Sequence, residues 1–221
     1  MVSAFTLAYR QADIYRDAGV ALSAYLDRMI NLQTDGLLML KEVLNAVPSK
    51  TLHVLELGSS CGIVGITLAQ ARPGCDVLLT DLPDAAEVAQ RNIAVAHPGI
   101  DSKLSFEVLD WEQPLPQSVQ SKTLDLVLVA DCTYNSDTIP ALVRTLSALL
   151  DTSPRAIIVL ATRVRHSSEA VFFDQMAEAG LAIGEQISLP LPGEGWRADD
   201  PEYADVYVFH RKDRPAGAAP P

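Results

Sequence analysis

Four short stretches of this 221-residue chain carry side chains whose types and spacing can do chemistry. The first is Glu56-Leu57-Gly58-Ser59-Ser60-Cys61-Gly62-Ile63-Val64-Gly65. Gly58 and Gly62 suit a tight turn where a ligand approaches the backbone, and Gly65 suits close packing of the helix that follows. Glu56 stands just ahead of the turn. In a bare apolar core this acid would be costly, but it could meet the amino group of a bound amino acid. The plainer reading of the same glycines is a tight turn that holds no ligand.

The second stretch is Leu78-Leu79-Thr80-Asp81-Leu82, whose acid lies 19 positions beyond Gly62. That is close to the spacing at which a carboxylate reaches ribose hydroxyls, while Asp84 is the better placed helix N-cap. The third, Val108-Leu109-Asp110-Trp111, joins an acid that can accept from an exocyclic amine to an aromatic face that can pack on a purine. An ordinary buried tryptophan is the alternative. The fourth is Val129-Ala130-Asp131-Cys132-Thr133-Tyr134. Asp131 and Tyr134 are three apart, so in a turn both can face one point and orient an amine nucleophile. Alternatively, Asp131 caps the helix after Ser136 and Tyr134 packs. Together the first three stretches describe a pocket for an adenosine bearing a charged amino-acid tail.

Such groups converge only if the elements carrying them end side by side. Apolar runs at Leu52–Leu57, Val77–Thr80, Leu104–Leu109, Leu124–Ala130 and Ala156–Ala161 predict buried strands. Helical spacing predicts helices at Ile63–Ala71, Ala85–Ala96, Ser136–Leu150 and Glu169–Ala179. Strands alternating with helices of this length imply an α/β fold, a doubly wound and mostly parallel sheet whose ligands bind at the carboxyl ends of its strands. Two further strands, near Ala182–Leu189 and Ala204–His210, have no helix between them and predict an antiparallel hairpin at one sheet edge. Ahead of the sheet, Tyr15 to Val47 reads as two helices, with Thr34 as N-cap of the second and Pro48 closing the run. The expected organisation is an extension over 1–14, one domain over 15–211 (helical cap 15–48, core 51–211) and a disordered tail over 212–221.

Hydrophobic residues make up 48% and charged residues 20%, the balance of an ordinary globular domain, and no apolar run is long enough to span a membrane. The N-terminus lacks the pattern of a secretory signal. Three cysteines without paired spacing point to reduced thiols in the cytoplasm, or also the nucleus, and no metal site is expected. A net charge of −11 repels phosphate backbones; it either favours a basic partner or a cationic side chain, or only keeps the protein soluble. No nucleic-acid or membrane partner is expected, and a monomer is.

Taken together, the motifs resemble the family 16 seven-strand methyltransferases, known chiefly as non-histone protein lysine methyltransferases. The resemblance runs from about Asp17 to Arg211. Glu56 to Gly65 is similar to the family's cofactor loop; Thr80-Asp81-Leu82-Pro83 with Arg91-Asn92-Ile93 matches its second motif. Leu109-Asp110-Trp111 matches its adenine-side motif, and Asp131-Cys132-Thr133-Tyr134 its Asp-x-x-Tyr signature. The resemblance implies a Rossmann-like domain that binds S-adenosylmethionine. Gly58, Ser59 and Ser60 would line its methionine part. Asp81 would bind ribose; Trp111 would flank adenine; Ala130 would touch the cofactor; Asp131 and Tyr134 would engage the acceptor; Glu56, Gly62, Leu82 and Asp110 are further candidates for binding the cofactor. Two departures bear on affinity. Ser60 stands where the family has glycine, and Arg16, beside Asp17, stands where it has a tryptophan at the cofactor.

The reaction so implied is displacement at a sulfonium methyl by a neutral amine, with a protein lysine as the acceptor. Asp131 would orient that amine and Tyr134 would wall it. Two other readings stay open at this point: methylation of a small molecule, and a non-catalytic binding module that keeps the fold. A nucleotide-dependent dehydrogenase is disfavoured because the loop lacks a Gly-x-Gly-x-x-Gly pattern.

Overall fold

Across the residues described by the computed structural model (17–45, 50–163, 168–191 and 202–213), the predicted alternation folds into one seven-stranded sheet. Strands form where apolar runs can be covered on both faces. Thus β1 (Leu52–Leu57), β2 (Cys75–Asp81), β4 (Leu126–Ala130) and β5 (Ile157–Thr162) are almost wholly buried, whereas β3 (Lys103–Val108) is a half-exposed edge. β6 (Leu181–Pro190) and β7 (Tyr203–Arg211) complete the order β3-β2-β1-β4-β5-β7-β6. The first five pair in parallel; β7 runs antiparallel to β5 and β6, as the edge hairpin requires. Chain order reverses at β1, with β2 on one side and β4 on the other. The crevice therefore opens at the carboxyl ends of these strands.

Among the described residues seven α-helices cover the sheet: α1 (Asp17–Asn31), α2 (Leu38–Leu44), α3 (Ile63–Ala71), α4 (Ala86–Val95), α5 (Gln117–Gln120), α6 (Ile139–Thr152) and α7 (Ser168–Glu178). Side chains on a strand alternate between faces. Leu52 and Val54 join the core beneath α1, α2 and α3, while Leu55 and Leu57 join the one beneath α6 and α7. By the same alternation Glu56 belongs to the α3 face. Among the described residues no helix is long and apolar enough to cross a membrane.

Several expected boundaries shift for local reasons. The helix expected from Ser136 starts only at Ile139, because Pro140 is tolerated in a first turn and not deeper. Before it, Asp137 N–H donates to Asn135 Oδ1 (3.0 Å) and the Thr138 hydroxyl to Asn135 O. The strand expected from Leu124 starts at Leu126, since Leu124 N–H donates to Ser153 Oγ and Asp125 accepts from His53 N–H. Thr34 is not the cap of α2. That helix begins at Leu38, and Glu185 of β6 accepts from Leu38 and Met39 N–H, each at 2.8 Å. Asp84 makes no cap either: α4 leaves a 3-10 turn, Pro83–Ala85, with no side-chain capping bond. Pro48, the 1–14 extension and residues 214–221 lie outside the described residues, while Lys212, placed in the disordered tail by the sequence, donates its N–H to Gly180 O and so still belongs to the fold.

Candidate active site

The turn after β1 reverses direction through three residues of positive φ: Gly58 (+62°), Ser60 (+51°) and Gly62 (+77°). Gly58 is fixed by crowding as well as by φ. A Cβ there would lie 2.6 Å from Cys132 Sγ and 3.2 Å from the Trp111 ring. Gly62 ends the turn, and its carbonyl accepts the Ile66 N–H of α3 at 2.9 Å. Glu56, only 2% exposed, accepts from Gly65 N–H at 2.8 Å. It therefore satisfies one of the amides that a helix start leaves orphaned, in a favourable place for a negative charge.

Asp81 clasps the same turn from β2. One carboxylate oxygen accepts from Ser60 N–H at 2.6 Å, the other from Leu82 N–H at 2.7 Å. From α4, Asn92 Nδ2 donates to Cys61 O at 2.8 Å, so the second motif braces the first. Beyond β3, Asp110 accepts from Glu112 N–H at 2.9 Å, a local turn that sets Trp111 against Gly58. Leu82, half exposed, and Val88 form an apolar lip nearby.

The tip of β4 differs from expectation. Asp131 has a φ of +53°, and its Oδ2 accepts from Ala18 N–H at 2.9 Å and, more weakly, Gly19 N–H at 3.4 Å. It caps a helix, but α1 rather than the one after Ser136. Cys132 is buried and its thiol pKa is raised strongly, first by burial and then by the carboxylates of Asp81, Asp131 and Glu56. A neutral thiol of this kind is a packing group, not a nucleophile. Thr133 and Thr162 share a buried hydroxyl–hydroxyl bond of 2.8 Å that ties β4 to β5. Tyr134 lies on the outer lip, 73% exposed.

These tips enclose one cleft of about 1070 Å³, within the order of size of small-molecule sites. Glu56, Gly58, Ser59, Ser60, Asp81, Leu82, Asp110, Trp111, Ala130, Asp131 and Tyr134 all line it. Gly62 supports the loop from behind. Arg16 falls outside the described residues. Among the lining residues that sequence reasoning missed are Gly19, Thr162 and Arg163, the last ion-paired with Glu202. Thr162 was findable as the end of a fifth strand; Gly19 carried no signal. Among the described residues Ser59 Oγ is the one buried side-chain polar atom without a hydrogen-bond partner.

Against this geometry, comparisons with known proteins agree in direction. A family model described as "Lysine methyltransferase" matches residues 11–179. Protein N-lysine methyltransferase METTL21A of Mus musculus is 32% identical over 75% of this chain and 66% of its own length. EEF1A lysine methyltransferase 3 of the same organism is 35% identical over 76% of this chain and 66% of its own. The chain thus spans just under two thirds of the length of these curated relatives. Among solved structures, magnesium protoporphyrin IX methyltransferase (ChlM) from Synechocystis PCC 6803, with bound SAM, superposes with a TM-score of 0.55 at 18% identity, covering 95% of this chain and 92% of that one. At that identity the likeness is one of fold.

Proposed function

The chain belongs to the lysine methyltransferase family, and we propose that it is an S-adenosylmethionine-dependent N-methyltransferase acting on a lysine side chain of a protein. One observation carries this reading: the ends of β1, β2, β3 and β4 line a single cleft at the switch point of the sheet, and a buried hydroxyl there lacks a partner. An unsatisfied buried polar group costs about 1–3 kcal/mol, so Ser59 Oγ calls for a polar ligand atom. The residues present fit the cofactor. Gly58, Ser59 and Ser60 would hold its methionine part and Asp81 its ribose. Leu82, Asp110 and Trp111 would hold the adenine, with Ala130 as the wall between cofactor and acceptor.

When bound, S-adenosylmethionine supplies an electrophilic methyl on a sulfonium, a leaving group that needs no acid. The protein's task is then alignment and desolvation. A lysine resting near pKa ~10.4 must be presented as the neutral amine. Tyr134 on the lip and the Thr133–Thr162 pair at its base wall the entrance, and exclusion of water there disfavours the charged form. Six lining carboxylates and one ion-paired arginine suit a cationic acceptor, in line with a protein partner rich in basic groups. We place the protein in the cytoplasm, with the nucleus as a further setting; the free thiols of Cys61, Cys75 and Cys132 support a reducing environment.

The test is to incubate purified protein with methyl-labelled cofactor and either lysate proteins or a metabolite extract. Label should appear on protein lysines by mass spectrometry. Label confined to the metabolite fraction would transfer the activity to a small molecule. A folded sample giving no calorimetric heat with S-adenosylhomocysteine would end the enzymatic reading.

A further inference from the structure

Asp131 heads the acceptor-side loop, yet its carboxylate is engaged with the other side of the cleft. Its own N–H donates to Ala161 O (2.9 Å), which holds it at the end of the β4–β5 ladder. Its Oδ2 accepts from the amides of Ala18 and Gly19. These belong to the first described turn of α1 (Asp17–Asn31), and the leading amides of a helix have no partner within it. That turn is itself cleft wall: Gly19 lines it, and a Cβ added there would sit 3.6 Å from Ile63 and 3.7 Å from Ala130. One carboxylate therefore fastens the first turn of α1 against α3 and the tip of β4, and at the same residue the backbone turns through +53° into Cys132, Thr133 and Tyr134.

Resting on the function proposed above, we propose that Asp131 is a positioning residue: it acts by anchoring α1, and the placing of the α1 wall and of the Cys132–Tyr134 loop is one event. Three properties of the site follow. Its work needs an acceptor oxygen and tolerance of a left-handed backbone, and asparagine supplies both. Cofactor affinity should respond to its loss, because the element it anchors lines the cofactor's side of the cleft. The effect should be visible in α1 without any ligand.

The experiment uses the full chain, with hydrogen exchange of the α1 amides in the free protein and calorimetry with S-adenosylhomocysteine. Asp131→Ala is expected to speed α1 exchange on the order of tenfold, the scale of a lost N-cap, and to weaken binding by a similar factor. Asp131→Asn is expected to keep both within about threefold of wild type, because the interaction it must preserve is a neutral-acceptor cap. If Asp131→Ala does not fold, Asp131→Gly decides the matter, since glycine accepts the +53° backbone and removes only the carboxylate. Wild-type exchange in α1 for Asp131→Ala, or for Asp131→Gly where the alanine variant does not fold, would overturn the proposal. So would an asparagine variant as impaired in binding as the alanine one, which would assign the role to charge. A wild type that binds no S-adenosylhomocysteine, while Asp131→Ala still loosens α1, refutes the function and this role in it but leaves the anchor itself in place.

Discussion

Gly58→Ala is the perturbation whose cost the structure resolves into parts. The residue sits at φ +62°, where a side chain costs about 1–2 kcal/mol relative to glycine. Its new methyl would also stand 2.6 Å from Cys132 Sγ and 3.2 Å from Trp111. Neither neighbour yields freely: Cys132 is 6% exposed in the core under α6, and Trp111 packs against the same core. Overpacking of this kind costs about 1–3 kcal/mol. The sum is about 2–5 kcal/mol, a large share of the roughly 5–15 kcal/mol that holds a domain folded. Because Trp111 must shift, affinity for S-adenosylhomocysteine should fall with stability.

Backbone and packing costs separate in a double-mutant cycle with Cys132→Ala. Removing the sulfur takes away the shorter contact but leaves the φ cost and the Trp111 contact, so it should relieve Gly58→Ala by about 1 kcal/mol or more. That coupling lies outside the ~0.3–0.5 kcal/mol within which independent sites add. Urea unfolding of the four proteins, followed by tryptophan fluorescence, measures it. Additive costs would refute the crowding argument, and a Gly58→Ala cost under about 0.5 kcal/mol would refute the backbone one as well.

Two further outcomes are expected. The raised Cys132 pKa means that the folded state disfavours the thiolate, so its contribution is complete below the unfolded thiol range near 9.0 and is lost as pH climbs above it. Wild-type Tm should fall between pH 8 and pH 10, and Cys132→Ala should fall less; parallel curves would show that the thiol does not couple to folding. Glu185→Ala removes the acceptor of two α2 amides and should destabilise by about 1–2 kcal/mol, with Glu185→Gln recovering part of the loss in the same urea assay. No change on Glu185→Ala would mean that water caps α2 equally well.

The strands were legible because a run buried on both faces must be apolar throughout. β1 was read at its observed bounds for that reason, as was α3 behind its glycine turn. Gly58 and Gly62 were legible as turn residues, and the four strand ends do line one cleft. What stayed hidden were bonds between residues far apart in the chain. Thr34 looked like a cap because Thr before an apolar run usually is one, but no local pattern announces that Glu185, on the last hairpin, supplies the acceptors instead. Asp131 likewise looked available for an amine, since no local pattern announces that its carboxylate accepts from Ala18 and Gly19, more than a hundred positions earlier.

The acids of the cleft raise a question of capacity, for each one expected at a ligand holds protein backbone here. An ionised carboxylate has about four lone-pair directions, two on each oxygen. Asp81 spends one per oxygen, on Ser60 and Leu82 N–H, and so keeps two acceptor directions for a pair of ribose hydroxyls. Holding the loop and binding a sugar are then compatible, and the first would prepare the second by fixing the carboxylate before a ligand arrives. Ser60 gains meaning from the same bond. Its backbone adopts φ +51° to offer that N–H, a conformation glycine takes without strain. The serine in the glycine's place therefore tensions the loop at the point where Asp81 holds it, and the 2.6 Å bond is the local interaction that offsets the tension.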